Sequence, residues 1–123
     1  MLFISTSACG QKAKKSAEPV ALDVKAFATA MVQNPGTVVD VRTSEEVARG
    51  KINGAIVIDF YEEDFKKQIK KLDKSKPVYL YCASGGRSAD AADMLVNMGF
   101  TQVFNLDGGF RAWKAAGQPV VMP

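Results

Sequence analysis

Short apolar runs alternate with segments of helical periodicity through most of this 123-residue chain. The runs are rich in valine, isoleucine and aromatic residues, as buried strands are, while in the segments between them apolar residues recur every three or four positions. Strands that alternate with helices form a mostly parallel sheet covered on both faces. We therefore predict an α/β fold of three layers, with helices flanking a central, mostly parallel sheet of about five strands.

The predicted strands lie at residues 20–22, 37–41, 55–58, 78–81 and 103–106. The first predicted helix is capped by Asp23, and a short second helix is capped by Thr43 or Ser44. Apolar residues at helical spacing then predict a helix around Phe65, one over about 88–98 with Ala89, Ala92, Leu95 and Val96 inward, and one over 110–116 with Trp113 in the core. The length suits one compact domain, which we place at residues 20–123, after an N-terminal tail of residues 1–19.

The charge balance argues against a nucleic-acid partner. The formal net charge is +3, but from Val20 onward there are 13 basic and 12 acidic residues. Lys66, Lys67, Lys70 and Lys71 are interpreted as a solvated helix face, because Glu62 and Glu63 precede the first two by four positions. A substrate must therefore be recognised at a local site rather than by a global field.

The N-terminal tail contains Cys9 after Thr6, Ser7 and Ala8, and this short segment resembles the end of a bacterial lipoprotein signal. The apolar stretch before it is much shorter than that of a secretory signal and has no basic residue ahead of it. Two interpretations remain open. Either Cys9 is lipidated and the protein is exported to the periplasm or anchored to a membrane, or the segment is a tail without function and the protein is cytoplasmic. A membrane is a partner only in the first case.

The sequence has two cysteines, Cys9 and Cys82, and no histidine. Cysteines so far apart indicate neither a disulfide framework nor a zinc site, and without histidine a Cys-His or Ser-His catalytic pair is excluded. We predict no metal and no cofactor. A nucleophile in this chain must be activated by its electrostatic surroundings, and cysteine is the residue best suited to that.

The loop that follows the predicted strand 78–81 carries the strongest functional signal. It leads into a helix, so that consecutive N–H groups can form a concave nest for an anion, and the same field stabilises a thiolate. Gly85 and Gly86 permit the curved backbone, and Arg87 adds a planar fork of donors. Ser84 and Ser88 can add hydroxyl donors, although Ser88 is equally suited to be only a helix cap. We predict Cys82 as the nucleophile and, as substrate-binding residues, Ala83, Ser84, Gly85, Gly86, Arg87 and Ser88.

Four segments in order resemble the rhodanese family of sulfurtransferases over about residues 19–119. They are Val39-Asp40-Val41-Arg42 with Glu45-Glu46, Gly50-Lys51-Ile52-Asn53-Gly54-Ala55, the loop of residues 82–88, and Leu106-Asp107-Gly108-Gly109-Phe110-Arg111-Ala112-Trp113. The family usually has histidine where this chain has Lys51. The resemblance implies a rhodanese-like fold in which Cys82 accepts a sulfane sulfur from a donor such as thiosulfate. The resulting persulfide would pass it to a small thiol, to cyanide or to a protein acceptor.

Asp40 and Arg42 are predicted to form a polar network that supports the site, and the alternatives are a purely structural ion pair or direct contact with a substrate. Two other functions remain open. One is a carrier or binding module that holds a persulfide for a partner protein without turnover. The other is a cysteine phosphatase or arsenate reductase, but their loops place one more residue between cysteine and arginine than the four found here, and the tighter loop suits a terminal sulfur better than a phosphate.

Overall fold

The structure is a computed structural model and describes residues 17–123. Cys9 and most of the predicted tail lie outside the described residues. The strands are β1 (Val20–Leu22), β2 (Thr37–Asp40), β3 (Ile56–Val57), β4 (Val78–Tyr81) and β5 (Val103–Leu106). The helices are α1 (Val24–Gln33), α2 (Ser44–Val47), α3 (Phe65–Ile69), α4 (Gly86–Asn97) and α5 (Gly109–Ala115).

The five strands form one parallel sheet in the order β1-β5-β4-β2-β3. The predicted fold class is therefore confirmed. Every residue of the central strand β4 is buried, because helices cover both faces of the sheet. No helix among residues 17–123 is long and apolar enough to cross a membrane.

Alternate side chains of β4 belong to two different cores. Leu80 packs with residues of α3 and α4, such as Ile69 and Leu95. Tyr79, on the opposite face, packs with α1 and α5, where Phe27 and Trp113 meet edge to face with ring centroids 6.3 Å apart. The sheet is thus the middle of three layers, and burial of these large side chains supplies the main stabilising contribution.

The predicted starts of the two C-terminal helices need correction. Helix α4 begins at Gly86 rather than near Ser88, and its N-cap is Gly85, so Ser88 is not the cap. Helix α5 begins at Gly109, one residue before the predicted start. Within α4, Ala89 is exposed, contrary to the prediction. The earlier N-caps were missed because a glycine cap has no capping side chain to mark it.

Parallel strands bring the candidate site residues to one edge of the sheet. Asp40 at the end of β2 pairs in register with Tyr81 at the end of β4. Arg42 and Cys82 follow these two strand ends, and the turn after Leu106 follows β5. Ligands of such sheets bind at this carboxyl edge.

Candidate active site

Cys82 lies at the base of the loop, and the residue is only 1% exposed. Three donors converge on its Sγ: the backbone N–H of Gly85 at 3.1 Å, and the N–H and hydroxyl of Ser88 at 3.4 Å each. A buried cysteine that served only as a small hydrophobe would need no such donors. The arrangement provides hydrogen bonds for a negatively charged sulfur, because all three groups point positive charge at the same atom.

Two opposing effects decide the pKa of Cys82. Burial alone would raise it, since the thiolate loses its hydration. The Ser88 hydroxyl and the N–H groups of Ser88, Gly85 and Ser84 favour the charged form and outweigh burial, so the pKa lies below its ordinary 9.0. These hydrogen bonds come from the loop itself and involve no histidine, and activation of the Cys82 thiol stays a prediction.

The glycine pair of the loop divides into two roles. Gly85 has φ +110°, a conformation in which a side chain is strained, and this turn directs its N–H toward Sγ. Gly86 is the first residue of α4 and needs no left-handed backbone. The prediction that both glycines curve the loop is correct for Gly85 alone. Of the two loop serines, Ser88 bonds to Sγ through its hydroxyl, while Ser84 is exposed and acts through its N–H.

The first turn of α5 holds the loop from behind. The N–H of Phe110 donates to the Cys82 carbonyl at 2.7 Å, and the N–H of Arg111 donates to the Ala83 carbonyl at 3.0 Å. A Cβ on Gly109 would lie 2.6 Å from the carbonyl oxygens of Cys82 and Ala83. Only glycine permits this close approach, so Gly109, the first residue of α5, lets the helix pack directly against the loop.

Arg87 projects from α4 toward α2. Its two terminal nitrogens donate to the two carboxylate oxygens of Glu46 at 2.8 and 2.9 Å. Thr43, the N-cap of α2, forms a capping box with Glu46 and so fixes the position of that carboxylate. Hydrogen bonds from Arg87 lower the pKa of Glu46 to about 2, and the ion pair raises the pKa of Arg87. The predicted contact of Arg87 with a substrate stays a prediction.

Asp40 and Arg42 form a buried ion pair beside the site. The Arg42 side chain donates to both Asp40 oxygens, at 2.9 and 2.7 Å, and to the Gly50 carbonyl at 2.7 Å. Its guanidinium also lies 4.1 Å from the centroid of the Phe110 ring. Asp40 is completely buried, which favours the structural ion pair over direct contact with a substrate.

Three contributions to the site were not predicted from the sequence. Glu46 was noted only as part of a motif, although a capping-box pattern from Thr43 to Glu46 can be read locally. The anchoring N–H groups of α5 and the amide of Asn105, which donates to the Gly85 carbonyl at 3.5 Å, come from distant segments without a local signal.

Lys51, at the position where the family usually has histidine, has a structural role. It pairs with Val121 through the backbone, and its side chain donates to the Ala55 carbonyl at 2.8 Å.

The fold and this loop define the class of protein. The family model of the rhodanese-like domain matches residues 23–116. The chain therefore belongs to the rhodanese family.

Individual relatives agree with that assignment. The chain is 36% identical over 85 residues to a sulfurtransferase of Allochromatium vinosum, an alignment that covers 69% of this chain and 78% of the relative. It is 39% identical over 88 residues to the thiosulfate sulfurtransferase GlpE of Pseudomonas fluorescens, covering 71% and 78%. A crystal structure of a rhodanese-related protein from Thermoplasma volcanium superposes with a TM-score of 0.75 at 29% identity, covering 85% of this chain and 99% of that one. The chain is thus a member of a sulfurtransferase family.

Proposed function

We propose that this protein transfers a sulfane sulfur from an anionic donor such as thiosulfate to a thiophilic acceptor through a persulfide on Cys82. The observation that carries the proposal is the convergence of three hydrogen-bond donors on Sγ within 3.1 to 3.4 Å. These donors stabilise the thiolate that attacks and the persulfide anion that forms. The relatives named as sulfurtransferases support the same class of reaction.

In the first half-reaction the Cys82 thiolate attacks the terminal sulfur of the donor. A bond forms between Sγ and that sulfur while the sulfur–sulfur bond of the donor breaks, and the electron pair leaves with sulfite. The product is an anionic persulfide. The negative charge then lies on the outer sulfur, one bond from Sγ, where the field of the loop N–H groups still favours it.

In the second half-reaction the acceptor attacks the outer sulfur of the persulfide. A thiolate becomes a persulfide and cyanide becomes thiocyanate, while the electron pair of the broken bond returns to Sγ. The thiolate is regenerated without an external oxidant or reductant. The low pKa of Cys82 assists this step as well, because a stabilised thiolate is a better leaving group.

The position of Arg87 does not support a phosphatase. A phosphate in the loop requires the arginine fork for its oxygens, but both terminal nitrogens of Arg87 already donate to Glu46. A terminal sulfur can be held by the backbone donors and Ser88 alone. Sulfur transfer therefore remains the function that this geometry supports best.

The test is intact-protein mass spectrometry before and after incubation with thiosulfate. We expect a gain of about 32 Da, one sulfur atom on the nucleophilic cysteine, and its loss after addition of cyanide or a thiol. Cys82→Ser should abolish the gain without unfolding the protein. Cys9→Ser is the matched control and should retain it.

Each other outcome has a clear meaning. A gain in Cys82→Ser that is lost in Cys9→Ser would contradict the proposed nucleophile. A gain on Cys82 that neither cyanide nor a small thiol removes would favour a persulfide carrier over a turnover enzyme. If thiosulfate, 3-mercaptopyruvate and protein persulfides all fail to load Cys82, sulfur transfer is wrong.

A further inference from the structure

A surface pocket of about 180 Å³ lies beside the loop. Ala83 forms part of its wall, together with the side chains of Arg49, Phe110, Arg111 and Lys114. This volume is enough for a small molecule or one end of a larger one. Cys82 does not itself line the pocket.

The pocket carries an excess of positive charge. Arg42 and Glu46 also line it, but Asp40 neutralises the first and Arg87 the second. Arg49, Arg111 and Lys114 are exposed, and within residues 17–123 no carboxylate lies within 4.0 Å of their charged nitrogens. Three cations without a counter-ion around one concavity attract an anion.

The pocket and the nucleophile share one rigid support. The N–H of Arg111 donates to the carbonyl of Ala83, and the N–H of the preceding Phe110 donates to the carbonyl of Cys82. Both carbonyls belong to the start of the loop, so the backbone that carries Arg111 and Lys114 has a fixed position relative to Cys82. Arg87 cannot supply the same charge to a substrate while it is paired with Glu46.

We propose that Arg49, Arg111 and Lys114 form a subsite for the anionic group of a small substrate, outside the loop that holds the reacting sulfur. This inference rests on the proposed function. The ligand is a compact anionic group on a sulfur compound. This group is either the sulfonate-like end of the donor or the carboxylate of a thiol acceptor. A neutral thiol gains nothing from this subsite.

Binding is tested first without turnover, on the Cys82→Ser protein. Titration with thiosulfate, 3-mercaptopropionate and neutral 2-mercaptoethanol is followed by 15N–1H NMR. We expect at least one of the two anions to shift the amide signals of Arg49, Ala83 and Arg111 saturably, and 2-mercaptoethanol to leave them in place. Rising ionic strength should weaken the binding, because the three cations are exposed.

The second arm is a charge-removal variant with a matched control. Arg49, Arg111 and Lys114 are replaced together by Gln, and the control replaces the exposed Lys66, Lys67 and Lys70 by Gln, which changes the net charge equally. We expect KM for the anion that binds to rise at least roughly fivefold in the pocket variant, while kcat and KM for 2-mercaptoethanol hold. The control should change none of these. A rise for thiosulfate assigns the subsite to the donor, and a rise for 3-mercaptopropionate assigns it to the acceptor.

Failure of this inference is distinct from failure of the proposed function. If Cys82 forms a persulfide but neither anion shifts the pocket amides, the subsite is wrong and sulfur transfer stands. If an anion binds the pocket of Cys82→Ser but no persulfide ever forms on the native protein, sulfur transfer is wrong and the anion site stands. If the pocket variant and the control variant raise KM equally, the cause is the overall charge of the protein, and the proposed subsite is wrong.

Discussion

At the scale of single residues, the proposed chemistry depends on whether hydrogen bonds from the loop offset the burial of the Cys82 sulfur. Burial of Cys82 disfavours its thiolate, and the donors of the loop restore it. Among them the Ser88 hydroxyl is the one group that a substitution can remove without altering the backbone. It lies 3.4 Å from Sγ and 3.2 Å from the Gly85 carbonyl, so its proton can be directed to either atom. The negative charge of a thiolate favours the sulfur.

Ser88→Ala is expected to raise the pKa of Cys82, since the hydroxyl donates to the charged sulfur and such a hydrogen bond contributes more than one between neutral groups. The sign follows from which form the hydroxyl stabilises: without it the thiolate is disfavoured, and the thiol persists to higher pH. The measurement is the pH dependence of the iodoacetamide alkylation rate, in a Cys9→Ser background. Persulfide formation should shift to higher pH in parallel.

Ser84→Ala is the matched control for this experiment. It removes a hydroxyl from the same loop, but Ser84 is exposed and contributes through its backbone N–H. Its alkylation profile should follow that of the parent protein. If both variants shift the pKa equally, the Ser88 hydroxyl has no specific role.

At the scale of elements, local sequence pattern was sufficient to predict those features whose residues all lie in one short segment. The strand before Cys82 is a fully buried apolar run, and Asp23 accepts a hydrogen bond from the Ala26 N–H at 2.8 Å as an N-cap should. The grouping of donors around Sγ could be predicted because the cysteine and those donors lie within seven consecutive residues. The position of Arg87 could not, because its partner Glu46 is 41 positions away. The contacts of α5 with the loop and the grouping of cations around the pocket also join segments that are far apart in sequence, so neither could be predicted from local pattern.

The Arg87–Glu46 pair joins α4 to α2, and it makes stability depend on pH in a defined range. The pKa of Glu46 falls from its ordinary 4.5 to about 2 on folding, so the folded state favours the ionised form. The contribution of the ionised Glu46 to the free energy of unfolding is fully present above pH 4.5 and is lost as pH falls toward about 2. Glu46→Gln keeps an acceptor for the capping box but removes the charge. It should therefore reduce stability at pH 7 by about 1 kcal/mol or less, as expected for a partly exposed pair.

The measurement is urea denaturation of the parent and of Glu46→Gln from pH 7 down to the lowest pH at which the parent folds. The difference between the two proteins should shrink below pH 4.5. Glu45→Gln, an exposed neighbour in the same turn of α2, is the control and should show a smaller, flatter difference. A constant difference across this range for Glu46→Gln would exclude the ion pair as its cause.

At the scale of the whole molecule, the loop of residues 82–88 is held by one strand and two helices. The central strand β4 delivers Cys82, α4 supplies Ser88 and the Gly85 cap, and α5 anchors the carbonyls of Cys82 and Ala83. Helix α5 is itself fixed by Trp113, which is buried and donates from its indole N–H to the Pro119 carbonyl at 2.8 Å. We therefore expect reactivity at Cys82 to depend on the packing of the C-terminal helix.

Gly109→Ala tests that coupling, and Gly117→Ala is its control, because the two glycines share a positive φ but differ in their surroundings. Gly117 has φ +76° with nothing within 4 Å of the added Cβ, so its substitution should cost only backbone strain, about 1 kcal/mol. Gly109 has φ +62°, and its Cβ would lie 2.6 Å from backbone atoms of Cys82 and Ala83. We expect a loss of at least about 2 kcal/mol in urea denaturation, because backbone must move as well.

The decisive readout is the rate of persulfide formation on the folded variants in a single turnover. Displacing the Cys82 and Ala83 carbonyls moves the start of the loop, which should misalign the donors around Sγ and slow loading of Gly109→Ala, while Gly117→Ala should load at the parent rate. If Gly109→Ala is destabilised but loads normally, the glycine is needed for folding alone. Slow loading confined to Gly109→Ala would instead establish that the C-terminal helix positions the nucleophile.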